Sequence, residues 1–377
     1  MAIESGKYAI VGLGITKQGK LPDYTTRQVV AWAVKEALDD AGLERKDIDG
    51  YIYGHQDPSV VDLRYLGLTP KFSWYMQTGG ATASATVMAA CGAMEAGLAE
   101  TVLLVGAHRP WSTRAQIGGY GYGIAQAWGL VSPVASHAFH ASRHMGVYGT
   151  TPDQLGTVAV VQREHACKRP DAIEYGNPIT LEDYYNSPMI CAPLRRLDCT
   201  RDTDGGVAMI VTTAERARNL KSKPVFIRGL GVGHNIRRWH DKSLYNGLDC
   251  ATAKESAFRM AGITTADVDV FQCYDAFSIN VIMQLEGYGF CNEGEGGPFV
   301  MGGDTRLDGR IPTNTGGGQL SGWYVMGYTA LSEGLFQMRG QAGETQVKDA
   351  EIALVTGHGA NAGVQNTWAH GCVVLGK

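Results

Sequence analysis

The sequence predicts a duplicated α/β fold: a five-layer α-β-α-β-α sandwich of two related halves, with a large loop domain inserted into the first half. Three observations predict this fold. Segments of the first half recur in the same order in the second half. One segment is so uniformly small and apolar that, as a helix, it must be buried on every side. The length of 377 residues accommodates two domains of ordinary size.

The duplication is clearest where a helix ends. Residues 37–49 and 257–269 lie 220 positions apart and share two alanines, one glycine and two aspartates in register. Strand-like segments precede and follow these two copies, at 8–14 with 225–231 and at 99–106 with 350–357. Because all three matches occur in one order, the chain contains one strand–helix–strand unit twice.

Two helices of the first half are predicted from their apolar patterns. Residues 26–41 place apolar side chains along one helical face, and Gly42 supplies the stop signal. Residues 80–99 are almost wholly small and apolar, so this helix has no polar face to turn towards water. Only a layer between two sheets buries such a helix, and this gives the middle layer of the sandwich.

The domain boundaries follow from the repeat. We place the N-terminal half at residues 1–221 and the C-terminal half at residues 222–377. The inserted loop domain occupies about residues 108–204, and a shorter glycine-rich insertion spans residues 287–322 of the second half. Long insertions on a rigid scaffold usually carry function, so we expect both insertions to contribute to it.

The composition excludes several classes of protein. The net charge is −4, from 33 basic and 37 acidic residues, and no basic block stands out, which argues against nucleic acid as a partner. No apolar run approaches the roughly 18 residues that a membrane helix needs. The first residues lack the pattern of a signal peptide, so we expect a cytoplasmic protein that does not bind a membrane.

The eight cysteines raise the question on which the function depends. They are Cys91, Cys167, Cys191, Cys199, Cys250, Cys273, Cys291 and Cys372. None forms a C-x-x-C pair, and their wide spacing is typical of reduced, mostly buried thiols rather than of a disulfide framework or a zinc site. One of them could still be a nucleophile.

Four turns of the sequence carry a resemblance to a known family. They are Thr78-Gly-Gly-Ala-Thr-Ala-Ser84, Cys273-Tyr-Asp-Ala-Phe277, Asn314-Thr-Gly-Gly-Gly318 and Gly357-His-Gly-Ala-Asn361. With the repeat, they resemble the thiolase superfamily, and more specifically its sterol-carrier-type, non-condensing branch. The resemblance covers nearly the whole chain. It implies a site that surrounds the thioester carbonyl and α-carbon of an acyl-CoA substrate, with no cofactor beyond the CoA of that substrate.

The resemblance breaks at the residues that carry out thiolase chemistry. The family's nucleophilic cysteine, asparagine, histidine and second cysteine fall on Gly80, Tyr274, Tyr324 and Val355. Cys91 lies eleven residues beyond Gly80, about 16 Å along a helix, so it cannot replace the missing sulfur. Covalent catalysis needs a thiolate and a base to form it. We therefore do not expect condensation or thiolysis through an acyl-cysteine.

The two tyrosines suggest a different reaction at the same place. Without a nucleophile, the site can still cleave the bond between the α- and β-carbons of a β-hydroxyacyl-CoA. Phenols, whose ordinary pKa is near 10, suit the weakly acidic alcohol and α-carbon of this retro-aldol reaction. The pattern is similar to the steroid side-chain aldolases, which implies a 17-hydroxy steroid CoA ester cleaved to a 17-ketosteroid and propionyl-CoA. Tyr274 and Tyr324 would form the acid–base pair, in either order.

Neighbouring residues are candidates for support or substrate binding. Asp275 could tune or orient Tyr274, or it could cap a helical turn. His358 could line the site or support its loop, while Gly80 and Gly359 belong to the turns that would meet the substrate. We expect no metal ion: His137, His140 and His144 share one predicted helix face at metal-ligand spacing, but no carboxylate pattern such as H-E-x-x-H accompanies them. That face is assigned to a pocket or to a partner.

The partners follow partly from composition and partly from the resemblance. Charged residues are only 19% of the chain and 50 residues are glycine, which favours surface buried in an oligomer. We expect a homodimer. The resemblance adds a small OB-fold partner protein with a zinc ribbon, fused to or complexed with a hydratase. Two alternatives stay open: a thiolase or acyltransferase that uses a non-standard cysteine such as Cys291, and a non-catalytic acyl-CoA-binding subunit.

Overall fold

A single mixed sheet forms the frame of the molecule. The structure is a computed structural model, which describes residues 3–54, 63–114, 127, 132–234, 249–361 and 364–377. Its strands are β1 (Tyr8–Ile15), β2 (Gly50–Tyr53), β3 (Phe72–Tyr75), β4 (Thr101–His108), β5 (Met189–Cys191), β6 (Leu194–Arg195), β7 (Gly205–Thr213), β8 (Val225–Gly233), β9 (Val270–Gln272), β10 (Ile352–Asn361) and β11 (Val364–Gly376). Nine of them lie side by side in the order β3-β2-β4-β7-β1-β8-β11-β10-β9, and β5 and β6 form a separate hairpin.

Helices cover this sheet. They are α1 (Thr26–Ala41), α2 (Leu63–Leu66), α3 (Thr82–Glu95), α4 (Pro110–Thr113), α5 (Pro133–Tyr148), α6 (Pro152–Ala166), α7 (Leu181–Asn186), α8 (Ala214–Ala217), α9 (Cys250–Ala261), α10 (Ser278–Gly287), α11 (Gly296–Met301) and α12 (Tyr328–Arg339). None of the helices in the described ranges is long and apolar enough to cross a membrane.

The strand order shows the predicted duplication. From the centre outwards, the first half runs β1, β7, β4, β2, and the second half runs β8, β11, β10, β9. The two halves meet where β1 and β8 pair antiparallel, with Ala9 opposite Phe226 and Ile10 opposite Val225. The strands matched in the sequence, β1 with β8 and β4 with β10, therefore hold equivalent places.

The layers follow from three buried clusters. One packs α1 against one face of the first-half strands. A second lies between the halves and contains residues of α3 and α12 together with strands of both halves. The third packs α9 and α10 on the second half and also receives residues of α5 and α6 from the inserted loop domain. The two halves of the continuous sheet thus each carry outer helices on one face and share α3 and α12 on the other, which gives the predicted order helix, sheet, helix, sheet, helix.

The two copies also share their local geometry. Gly42 ends α1 and Gly262 ends α9, both with φ of 69°, a backbone conformation that glycine adopts without strain. Each glycine N–H donates back into its helix, to the carbonyl of Leu38 or of Phe258.

Equivalent aspartates hold the start of equivalent strands. Asp49 accepts hydrogen bonds from the backbone N–H groups of Glu100 and Thr101, and Asp269 does the same for Glu351 and Ile352. The identical residues of the repeat therefore carry identical structural roles.

Glycines in the central strands allow the helices to approach closely. A β-carbon at Gly14 of β1 would lie 2.0 Å from the carbonyl oxygen of Ala33, and one at Gly231 of β8 would lie 1.9 Å from that of Ala253. Real atoms do not approach so closely, so only glycine fits. The Gly-Leu-Gly segments thus set the distance between helix and sheet in both halves.

This packing gives a prediction for stability. Replacing Gly231→Ala pushes a methyl group into the backbone of α9, and we expect the free energy of unfolding to fall by about 1–3 kcal/mol. Gly92→Ala is the matched control, since its β-carbon would meet no atom within 4 Å. There the better helix propensity of alanine should add up to about 1 kcal/mol. Equal stabilities of the two variants in urea unfolding would contradict the packing argument.

Candidate active site

The candidate site is built around the turn that precedes the buried helix α3. Gly80 lies in this turn, and three other segments close on its backbone. A β-carbon at Gly327, just before α12, would lie 2.5 Å from the carbonyl oxygen of Gly80, and one at Gly357 in β10 would lie 2.8 Å from the same oxygen. The third segment carries Tyr274. Glycines therefore let four chain segments meet at one point.

The ring of Tyr274 occupies the space beside Gly80. A β-carbon at Gly80 would lie 2.1 Å from Cζ of Tyr274 and 2.4 Å from the carbonyl oxygen of His358. No side chain, and so no cysteine, fits at position 80 while Tyr274 keeps this place. The structure thus links two of the substitutions found in the sequence: the tyrosine fills the volume that a side chain at position 80 would need.

The turn that carries Tyr274 follows β9, and hydrogen bonds hold its backbone at Cys273 and at Tyr274. The backbone N–H of Cys273 donates to Oδ1 of Asn314 at 2.8 Å. Nε2 of Gln284 donates to the carbonyl oxygen of Tyr274 at 2.7 Å, and Oε1 of the same glutamine accepts from the Thr356 hydroxyl at 2.6 Å. These buried hydrogen bonds fix the backbone from which the phenol projects.

Asp275 holds the turn that leads to Tyr324. Its buried carboxylate accepts from the backbone N–H of Gln319 at 2.9 Å and from that of Leu320 at 3.3 Å. A single π-helical turn, Gly318–Gly322, begins there. Burial raises the pKa of Asp275 to about 7, and the two N–H groups oppose this shift. Of the two roles considered for Asp275, capping a turn is the one its hydrogen bonds show.

Tyr324 is held by its backbone. The Thr203 hydroxyl accepts from the Tyr324 N–H and donates to the Tyr324 carbonyl oxygen, both at 2.9 Å. The ring of His108, at the end of β4, lies 5.6 Å from the Tyr324 ring, and its Nε2 donates to the same carbonyl at 2.6 Å. Burial lowers the pKa of His108 to about 4, so this imidazole is neutral.

The structure brings the two predicted tyrosines together. Both side chains are buried, and the two phenols lie close enough for each to shift the pKa of the other. Burial raises the pKa of Tyr274 well above its ordinary value, and the neighbouring Tyr324 and Asp275 raise it further. Burial raises the pKa of Tyr324 to about 12, while the hydrogen bond from Tyr274 opposes that rise. At neutral pH both phenols are therefore protonated.

His358 lies against the same site. Its ring centroid is 6.5 Å from that of Tyr274, and within the described residues neither ring nitrogen has a hydrogen-bond partner. Burial lowers its pKa well below the ordinary value, and the nearby His137 adds to this. Gly359 packs against the turn before α3, where only glycine fits, because a β-carbon there would lie 2.0 Å from the carbonyl oxygen of Thr78. The side chain of His358 therefore lines the site, and the residue after it supports the loop.

The histidine face of α5 divides into two parts. His137 stacks on Phe277 with ring centroids 4.3 Å apart and lies 5.8 Å from the His358 ring, so it belongs to the wall of the site. His144 instead contacts Glu286 and Thr150. Across the described parts of the chain, no group of three or more histidine, cysteine or acidic side chains could hold a metal ion.

The thiols of Cys91, Cys273 and Cys291 are not activated as nucleophiles. Burial raises the pKa of Cys91 and of Cys291 to about 12, and it raises that of Cys273 well above the ordinary range. A thiol is a nucleophile only as its thiolate. Cys291, the residue considered for an acyl-cysteine mechanism, is therefore protonated and unreactive in this structure.

Sequence reasoning did not identify His108 and Thr203 as part of the site. Thr203 comes from the inserted loop domain and belongs to no recognisable motif. For His108 the repeat held a signal, since Gly106 matches Gly357, and the residues that follow this glycine in the second copy include His358 of the predicted site.

Comparisons with known proteins agree with this geometry. A family model described as Thiolase C-terminal domain-like matches residues 232–375. The 17-hydroxy-3-oxo-4-pregnene-20-carboxyl-CoA lyase of Mycobacterium tuberculosis is 36% identical over 375 residues, which cover 93% of this chain and 96% of that protein. The steroid side-chain-cleaving aldolase of Thermomonospora curvata is 34% identical over 382 residues, covering 94% and 96%. The solved structure named Ltp2-ChsH2(DUF35) aldolase superposes with a TM-score of 0.89 at 33% identity, covering 100% of this chain and 99% of that one.

The contact between Gly80 and Tyr274 gives a second prediction. Gly80→Ala should lower the free energy of unfolding by about 1–3 kcal/mol because the new methyl group overlaps the phenol ring. In a Tyr274→Ala background the same substitution should cost at least about 1 kcal/mol less, since the ring is gone. A double-mutant cycle in urea measures this coupling. Additive effects would show that the ring does not fill this space in solution.

Proposed function

Because the chain belongs to the thiolase superfamily and to its steroid side-chain-cleaving aldolases, we propose that it is a carbon–carbon lyase, a retro-aldolase acting on a β-hydroxyacyl-CoA. The proposed substrate is a 17-hydroxy steroid side-chain CoA ester, and the products are a 17-ketosteroid and propionyl-CoA. The observation that carries the proposal is the contact of Tyr274 with Gly80, because it removes the position of a nucleophile and puts a phenol there.

The reaction divides between the two phenols. As the bond between the α- and β-carbons breaks, the β-hydroxyl loses its proton and becomes the ketone, and the bonding electrons form the enolate of the CoA thioester. A phenolic O–H then delivers a proton to the α-carbon. We propose that Tyr274 and Tyr324 act as a relay, in either order: one phenol takes the proton of the hydroxyl as it passes its own proton to the other phenol, which protonates the α-carbon. The proton that the β-hydroxyl loses is matched by the proton that the α-carbon gains, so the reaction requires no cofactor besides the CoA of the substrate.

The surroundings of the phenols support this division of roles. The neutral imidazoles of His108 and His358 add no positive charge that would bind a carboxylate in place of a thioester. The fully buried turn of Asp275 holds Tyr324 without using its hydroxyl. Both phenols are therefore free to exchange protons with a bound substrate.

The proposed function predicts the effect of removing each hydroxyl. Tyr274→Phe and Tyr324→Phe should each lower kcat by about a hundredfold or more, because each removes a proton donor or acceptor and leaves the ring in place. The measurement is product analysis after incubation with a 17-hydroxy steroid acyl-CoA, with and without a co-encoded OB-fold protein. Tyr175→Phe, at a side chain that is 52% exposed, is the control.

Near-normal turnover in both phenol variants would contradict the proposed roles. Absence of ketosteroid and propionyl-CoA with the wild-type chain, alone and with the OB-fold protein, would instead favour a non-catalytic acyl-CoA-binding subunit.

We also propose that the protein acts as a homodimer joined through strand β3. This strand is the edge of the nine-stranded sheet, pairs on one side with β2, and presents Trp74 at 55% exposure. An open, apolar edge strand is suited to pairing with a second copy. The name of the similar solved structure supports a further partner of the DUF35 type, which we propose to be the OB-fold protein with a zinc ribbon.

The edge strand gives a prediction for assembly. Trp74→Lys places a charge on the proposed interface, and we expect a dimer of the wild-type chain to become monomeric in light scattering. Tyr175→Lys should leave the dimer intact. A dimer that persists in Trp74→Lys would show that β3 is not the interface.

A further inference from the structure

The proposed reaction places negative charge on one oxygen atom of the substrate. When the carbon–carbon bond breaks, its electrons form the enolate, and the charge collects on the thioester oxygen. A hydrogen-bond donor held at such an oxygen stabilises the transition state, and removing one donor typically costs roughly a hundredfold to a thousandfold in kcat. In the proposed relay, Tyr274 and Tyr324 exchange protons with the hydroxyl and the α-carbon. The donor to the thioester oxygen is therefore sought among the groups around the two phenols.

His358 has a buried ring N–H that is not committed to the protein. Its side chain is only 1% exposed, and neither ring nitrogen has a hydrogen-bond partner in the part of the chain that the structure describes. Burial holds its pKa well below the ordinary value, so the imidazole is neutral and carries one N–H donor and one lone pair. Buried polar atoms in native proteins nearly always have a partner. The partner of this N–H is therefore expected in a molecule that binds at the site.

The backbone of β10 places this imidazole beside the phenols. The carbonyl oxygen of His358 lies 2.4 Å from the position that a β-carbon at Gly80 would take. The imidazole ring lies 6.5 Å from the Tyr274 ring, centroid to centroid, with the two planes 61° apart. The oxygen of a thioester is only two bonds from the α-carbon. A substrate whose α-carbon meets the phenols therefore brings this oxygen to the groups that adjoin them, and His358 is one of these groups.

Two other imidazoles of the site have already used their N–H groups. Nε2 of His108 donates to the carbonyl oxygen of Tyr324 at 2.6 Å. Nδ1 of His137 donates to the carbonyl oxygen of Pro133 at 2.8 Å, so its Nε2 carries a lone pair and repels an oxyanion. Of these three imidazoles, His358 is the one with an N–H to offer a substrate.

We propose that His358 is a catalytic residue of this site, whose ring N–H donates a hydrogen bond to the thioester oxygen of the substrate and holds that oxygen as it becomes the enolate oxygen. The inference rests on the proposed function. No proton passes to or from the imidazole. The oxygen gains charge as the carbon–carbon bond breaks, and it returns to a carbonyl oxygen when a phenol protonates the α-carbon.

The first test replaces the ring with and without a donor. His358→Phe keeps a ring and removes both nitrogens, so kcat should fall by about a hundredfold. KM should change by less than about threefold, because the hydrogen bond strengthens mainly in the transition state. His358→Gln offers an amide N–H in place of the imidazole and should keep at least about ten times the kcat of His358→Phe. The substrate is a 17-hydroxy steroid acyl-CoA, and the melting temperature of each variant shows that it folds.

The second test measures formation of the enolate directly. In D2O, exchange of the α-protons of propionyl-CoA passes through the enolate, and mass spectrometry follows it in the presence of the 17-ketosteroid. His358→Phe should slow this exchange by about a hundredfold. His370→Phe is the matched control, since His370 faces His358 across the pair of strands β10 and β11 and binds the Tyr288 hydroxyl through Nε2 at 2.9 Å. Its exchange rate and kcat should stay within about threefold of the wild type.

The outcomes separate this inference from the proposed function. An active wild type with a folded His358→Phe of normal kcat and normal exchange would overturn the role of His358 alone. Equal losses in His358→Phe and His370→Phe, or a folded His358→Gln no more active than His358→Phe, would also overturn it, because they would show an effect of packing. A wild type that releases no ketosteroid, or normal turnover in both phenol variants, would instead overturn the proposed function.

Discussion

The contact between the Tyr274 ring and Gly80 is the constraint on which the rest of the site depends. With 2.1 Å between Cζ and a β-carbon at position 80, the phenol and a side chain there exclude each other. A chain that keeps the fold of a sulfur-based enzyme therefore has to use a different chemistry. Burial protects the phenols from water and holds both protons in place, so the site supplies acid and base from oxygen.

The fold explains how these groups come together. The duplicated strand–helix unit brings the ends of β4 and β10 and the turns before α3 and after β9 to one region, where glycines allow backbone to touch backbone. The inserted loop domain then adds contacts that the repeat lacks. Its helix α5 packs His137 on Phe277, and its residues 199–204 tie the two tyrosine turns to each other. The duplicated frame and the inserted loop domain therefore both contribute residues to the site.

Much of this arrangement could be predicted from the sequence, because it depends on short segments whose residues are neighbours along the chain. The matched segments predict the duplicated strand–helix–strand unit, and the motif positions place Tyr274 and Tyr324 in turns that meet. The choice between the two roles considered for Asp275 could not be made from the sequence, because its partners are backbone groups 44 and 45 residues away. Thr203 belongs to no motif, and its position depends on how the insertion packs. Long-range packing of irregular segments leaves little trace in sequence periodicity.

The central claim is that tyrosine hydroxyls, and not a cysteine thiol, carry out the cleavage of the carbon–carbon bond. Intact-protein mass spectrometry during turnover of a β-hydroxyacyl-CoA tests it most directly. The account predicts that the protein keeps its unmodified mass throughout while propionyl-CoA accumulates. An acyl adduct that maps to any cysteine, and that disappears when the substrate is exhausted, would contradict it.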